Sequence, residues 1–175
     1  MSTGKVKKLV EDLGNEQGRD ELYGLLIDIG KRVELSAEQR NELKGTILQY
    51  CNHEDEQVRS AAIRVLCFYW GMSEFRDKAF EMFANDKEDE GTRSDALSAW
   101  ANTYRNSNDA KVLELLIGVL KNETLPLIVR AGAYSSFFVV SSLQPKDWPD
   151  MDLDWDDFDN EVDWKLLDKI LATAK

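Results

Sequence analysis

The chain predicts an all-α fold, a short α-solenoid of stacked helix pairs. Three observations carry that prediction. Its 175 residues include only 10 Gly and 3 Pro, too few for a β-sandwich that turns about every ten residues or for a low-complexity disordered chain. Apolar residues recur at spacings of three and four through most of the sequence, the period of a helix with one buried stripe. An internal repeat is the third: DEQVRSAAIRVLCFY at Asp55–Tyr69 is echoed by DEGTRSDALSAWANT at Asp89–Thr103 and LPLIVRAGAYSSFFV at Leu125–Val139.

Arg59, Arg93 and Arg130 occupy one slot of the repeat, and Ala62, Ala96 and Ala133 follow each by three. Alanine there suits a helix face against which a neighbouring backbone packs closely. A weaker copy starts at Arg19, with Leu22 in place of the alanine. Each of the three clear copies follows another amphipathic stretch: Ala37–Cys51, Ser73–Ala84, where Phe75, Ala79, Phe80 and Phe83 share a face, and Asp109–Lys121. Ser36, Ser73 and either Asn108 or Asp109 are the expected N-caps. The unit is a helix pair, and stacking hides stripes that no helix buries alone. With 43% hydrophobic residues the chain can bury one core, so a single domain over 1–175 is expected, with pairs over roughly 4–33, 36–71, 73–106 and 109–143. After Leu143 the texture changes. Pro145 and Pro149 break helix, an acidic loop covers 144–160, and a capping helix with Val162, Leu166, Leu167, Ile170 and Leu171 apolar covers 161–174.

An acidic turn followed by V-R-x-x-A at the start of a second helix, at spacings of 34 and 37, resembles the HEAT repeat over roughly Leu35–Leu143. The second copy departs from the pattern with Thr92 for the valine, and the third has Leu125 and Leu127 where a turn aspartate belongs. The resemblance implies a protein-binding scaffold whose second helices line an inner face. It also implies that the repeated arginines bond turn aspartates, with Asp55 and Asp89 as acceptors. An anion site between two arginines is the alternative if those aspartates point elsewhere.

Net charge is −11, from 22 Lys and Arg against 33 Asp and Glu, the wrong sign for a surface that meets nucleic-acid phosphates. Met1–Leu13 carries charges through any apolar run, so neither a signal core nor a transit segment is expected. The longest apolar stretch, Val65–Trp70, is far short of the roughly 20 residues that span a bilayer. Cys51 and Cys67 read as reduced core thiols, which fits a cytoplasmic protein. For an enzyme one looks for a nucleophile beside a base, a glycine loop around phosphate or a ligand cluster, and none is present. His53, the single histidine, reads as a turn residue behind a helix end, and Cys51 with His53 is not a zinc spacing. No cofactor and no metal is expected. The aromatic residues Phe68, Tyr69, Trp70, Trp100, Tyr104, Tyr134, Phe137 and Phe138 read as core, with one or two left for the inner face.

Nine acidic residues lie between Asp147 and Asp163, and residues 146–175 hold ten acids against four bases. As an EF-hand loop the segment would place Asp150, Asp152, Asp154 and Glu161 as ligands, but Trp155 stands where that loop needs glycine. Met151, Leu153, Trp155 and Phe158 can pin the loop to the last repeat while the aspartates are solvated. So many like charges repel unless a basic partner compensates. The candidate partner-binding set is therefore Asp150, Asp152, Asp154, Asp156, Asp157 and Asp159, with Trp148 and Trp155 as anchors. The repeat turns supply a second acidic ridge, Glu54, Asp55, Glu56, Asp86, Glu88, Asp89 and Glu90. The expected function is capture of a basic protein such as a nuclease toxin by a small acidic immunity protein. The alternative is a scaffold or adaptor that works through its inner face, and an enzyme ranks last. The similarity to immunity proteins is one of size, acidity and lack of catalytic groups.

Overall fold

Residues 4–16 and 18–175 are described by the computed structural model, and among them the chain forms ten α-helices and no strand. The first three residues of the N-terminal stretch weighed for a signal, Met1–Thr3, and Gln17 within the first pair lie outside the described residues. The helices are α1 Gly4–Asn15, α2 Arg19–Lys31, α3 Ala37–Tyr50, α4 Glu56–Ile63, α5 Arg76–Ala84, α6 Glu90–Asn102, α7 Ala110–Lys121, α8 Leu127–Val140, α9 Phe158–Glu161 and α10 Trp164–Leu171. The expected capping helix is thus two pieces, α9 and α10. They part at Val162 and Asp163 because the Asp163 carboxylate accepts from the backbone N–H of Leu166 and starts a new helix. No helix among the described residues is long and apolar enough to cross a membrane.

Each first helix packs on its own second helix, and the second helices contact one another in order, α2 on α4, α4 on α6 and α6 on α8. Burial makes the repeat pattern intelligible. Ala62, Ala96 and Ala133 have no exposed surface, so a longer side chain in that slot would separate neighbouring helices. Between α8 and α6 the approach is tighter still: a Cβ on Gly132 would come within 2.5 Å of the Ser94 hydroxyl. One apolar cluster runs from Val6 to Ile170.

Helix starts follow side-chain chemistry. Ser36 and Gln39 form a reciprocal capping box on α3. Asp55, Asp89 and Asp109 cap α4, α6 and α7. Ser73 caps nothing; it opens a 3₁₀ turn, Ser73–Phe75, that leads into α5.

Those caps correct the expected arginine ladder. The carboxylates of Asp55 and Asp89 are spent on N–H groups of their own turns, whereas the last carbonyls of the preceding helix have no intrahelical partner. Arg93 and Arg130 go there, and Arg59 goes to the turn that follows α3. Arg59 Nη1 donates to the carbonyls of His53 and Glu54, both at 2.7 Å. Arg93 Nε reaches the carbonyl of Phe83 at 3.0 Å, and Arg130 Nε that of Leu120 at 2.8 Å. The repeated arginine ties the second helix of each pair to the end of the first. Arg19, in the weaker copy, pairs with its neighbour Asp20.

A feature the sequence conceals is that α4 widens into a π-helix over Arg64–Tyr69. Its last carbonyls are met from the next repeat: Asn102 Nδ2 donates to the carbonyls of Cys67 at 3.1 Å and Phe68 at 2.8 Å. Arg105 holds the other end of that amide through Asn102 Oδ1. Asn102→Ala leaves two carbonyls without a donor in a buried place, which costs about 1–3 kcal/mol. A lower urea midpoint with an unchanged slope is the expected result; an unchanged midpoint contradicts it.

Burial pushes the thiols of Cys51 and Cys67 up to about 12, from 9.0 in the open. A raised folded value means that ionisation favours the unfolded chain, so stability is full below pH 9 and falls as pH climbs towards 12. At neutral pH an aromatic disulfide reagent should label neither thiol faster than the chain unfolds. Rapid stoichiometric labelling of the folded protein would overturn this.

Candidate functional site

The acidic loop is built by period-two alternation. Met151 and Leu153 turn towards the core while Asp150, Asp152 and Asp154 stay exposed, as an extended segment laid on an apolar surface requires. The aspartates also fold the loop themselves. Asp150 Oδ1 accepts from the N–H of Asp152, and Asp154 Oδ1 from that of Asp156, each at 3.0 Å, two Asx turns in succession. The N–H of Asp154 donates to Glu161 Oε2 at 2.7 Å, and Asp157 Oδ1 accepts from Asn160 Nδ2 at 2.6 Å.

Four contacts fasten this loop to the last repeat. Phe158 is 3% exposed and meets Tyr134 edge-on at 6.4 Å. The Tyr134 hydroxyl accepts from the N–H of Asp163 at 3.3 Å. Trp148 donates its indole N–H to the carbonyl of Leu143 at 3.0 Å and packs 6.2 Å from Phe138. Arg130, already bonded to Leu120, forms an ion pair with Asp159 and stands 5.5 Å over the Phe158 ring.

Two of the expected partner-binding residues therefore change roles. Trp148 is half-buried with its N–H satisfied inside the molecule, because Phe138 and the Leu143 carbonyl complete its packing. Asp159 faces solvent on one side but is tied to Arg130. Arg130 takes its counter-ion from the loop, as Arg59 takes Glu88 from the following turn. No local pattern in the sequence marked the Arg130–Asp159 pair, which joins residues 29 apart. Nothing in the sequence pointed to the Tyr134–Asp163 bond.

Asp150, Asp152, Asp154, Asp156 and Asp157 remain exposed, and among the described residues none of them joins an ion pair. In their midst Trp155 is 56% exposed, against 39% for Val10 and 36% for Phe68. Its ring separates two clefts. One, of about 260 Å³, lies against α8 and is lined by Ala131, Tyr134, Leu153 and Phe158 with Asp152 and Trp155 at its edge. The other, of about 490 Å³, is more polar and runs from Glu123 past Arg130 to Asp156 and Asp157.

The second ridge is thinner than expected. Glu54, Glu56, Asp86, Asp89 and Glu90 are exposed, Asp89 while it caps α6. Glu88 is consumed by an ion pair with Arg59 at 2.5 Å, its side chain only 9% exposed. Asp55 is half-buried as a cap. Burial would raise the Asp89 carboxyl, but hydrogen bonds from Thr92 and Gly91 and the Arg59 charge outweigh it and hold the group below its ordinary value.

His53 Nδ1 accepts from the N–H of Asp55 at 3.0 Å, a turn contact. Cys51 and Cys67 are free and buried. Phe137, Phe138 and Tyr134 are fully enclosed, Trp100 nearly so, while Tyr69, Trp70 and Tyr104 are half-buried and Phe68 reaches the surface. Among the described residues no three His, Cys, Asp or Glu side chains gather as a metal-binding group.

Comparison with protein-family models, curated proteins and solved structures finds no match to this chain. Function therefore has to be argued from the surface itself.

What that surface offers is a fixed array of carboxylates around an exposed indole, on a loop anchored by buried groups. Arg130→Met tests the anchoring. It leaves the Leu120 carbonyl and Asp159 without their cation, which costs about 2–3 kcal/mol, and it exposes the loop to proteolysis between Pro149 and Glu161 before the helices are cut. Cleavage that begins elsewhere, with stability unchanged, contradicts the anchoring role.

Proposed function

We propose that the chain is a non-catalytic protein-binding protein, a short superhelical stack of HEAT-like helix pairs whose acidic C-terminal surface captures a basic protein. The partner class that suits it best is a nuclease-type toxin, which makes the chain an immunity protein. A nuclease must present cations to phosphate, and a small acidic protein can occupy that cleft in the substrate's place. The observation that carries this reading is the combination on one loop of five exposed aspartates without an ion pair and the most exposed large apolar residue, Trp155, both among the described residues. Like charges this close are repulsive in the free protein, and a cationic partner removes that cost. The charge accelerates encounter, and a ring buried at the centre of an interface slows departure. Two buried reduced thiols suit a cytoplasmic setting.

A second reading, an adaptor that binds through the faces of α2, α4 and α6, is favoured by a cleft of about 340 Å³ there, lined by Tyr23, Gln57, Ser60, Thr92 and Asp95. One variant separates the two. Asparagine at positions 150, 152, 154, 156 and 157 keeps the Oδ1 acceptors that form the Asx turns while removing the charge. On the toxin-inhibitor reading it lowers the association rate with a basic nuclease domain by about 10- to 100-fold at low ionic strength and flattens the salt dependence. Stopped-flow measurement over a salt series reads both. An unchanged rate and slope removes the acidic loop from the account and leaves the helix-face adaptor.

A further inference from the structure

We infer that the cleft beside Trp155 is a receptor for one arginine side chain of the basic partner, the indole forming a stacking plate and Asp152 a carboxylate at its edge. The inference rests on the acidic-loop reading above and adds the chemistry that the loop selects. Size comes first. At about 260 Å³ the cleft falls below the roughly 300–1,000 Å³ of sites that enclose a small molecule, so a single side chain is the occupant of matching scale.

Its lining gives the chemical class. Tyr134 and Phe158, 1% and 3% exposed, with Ala131 and Leu153 make an apolar floor, which suits a methylene stem more than a charged head. Trp155, 56% exposed, and Asp152 stand at the solvent edge, where a planar cation can lie on the ring and bond a carboxylate. Guanidinium meets both demands, since it stacks on aromatic faces and donates in a planar fork, whereas ammonium is a compact, strongly hydrated point charge.

The rest of the molecule sets cations over rings internally, three guanidinium groups and one ammonium. Arg76 lies 3.7 Å over Tyr104, Lys121 5.3 Å over Trp164, Arg130 5.5 Å over Phe158 and Arg64 5.8 Å over Tyr69. Among the described residues no cation lies over Trp155. It is an exposed indole amid unpaired carboxylates, and the complementary group has to come from outside.

The test is titration of the full chain with hexa-arginine and with hexa-lysine peptides at low ionic strength, following indole N–H resonances by NMR, with Trp155 assigned through Trp155→Ala. The exposed position of Trp155 keeps this substitution away from the core. The arginine peptide is expected to shift the Trp155 resonance and to bind about fivefold more tightly than the lysine peptide. In Trp155→Ala the two affinities become equal. Equal affinities in the parent chain with the Trp155 resonance unmoved overturn the arginine receptor while leaving capture of a basic partner standing. Failure of both peptides to bind overturns the acidic-loop reading and the receptor with it.

Discussion

Everything at the C-terminal end depends on what the repeated arginine does with its spare hydrogen bonds. A helix leaves its last carbonyls without partners, and in this chain Arg93 and Arg130 meet them from the following helix while Arg59 meets the carbonyls of the turn after α3. Neutral carbonyls do not cancel a positive charge, so Arg59 and Arg130 each recruit a carboxylate from further along the chain. Arg59 takes Glu88 from the next turn, and Arg130, at the end of the series, takes Asp159 from the loop. The residue that closes the fourth helix pair thereby sets where the acidic segment lies.

This division of labour explains why acidity alone is a poor guide to which carboxylates face a partner. Asp55, Asp89 and Asp109 are helix caps, Glu88 and Asp159 are counter-ions, and Asp150 and Asp154 shape the loop through backbone N–H groups while keeping their charge exposed. Asp152 lines one of the two clefts that share Trp155, and Asp156 and Asp157 line the other. The exposed charge is thus held by short local bonds whose geometry does not depend on the charge itself.

Much of the helical content was legible in the sequence because it follows from local rules. The three-and-four spacing located α3, α5, α7 and the three later second helices, Ser36 and Asp109 marked starts, and the alanine slot marked the buried contacts between neighbouring helices. The loop's alternation was equally readable for Met151, Leu153 and Phe158, which turn inward, whereas Trp155, grouped with them as a residue that could pin the loop, faces solvent. What escaped were decisions made between distant segments. The π-helix at Arg64–Tyr69 has two carbonyls met by Asn102, 35 residues beyond Cys67, and no local pattern announces it. Ser73 looked like a cap but opens a 3₁₀ turn instead. Trp148 and Trp155 look alike in composition, yet one finds a carbonyl and a phenyl ring to pack on and the other does not.

The central claim is that the acidic loop is a surface already formed in the free protein, so that a basic partner meets fixed charges and a fixed ring without first ordering a chain. Backbone ¹⁵N relaxation over residues 148–162 measures that directly. The account predicts order parameters near those of α8, about 0.85, for the isolated protein. Values below about 0.6 through Asp150–Asp157 would mean a mobile tail, and the preformed surface would be contradicted.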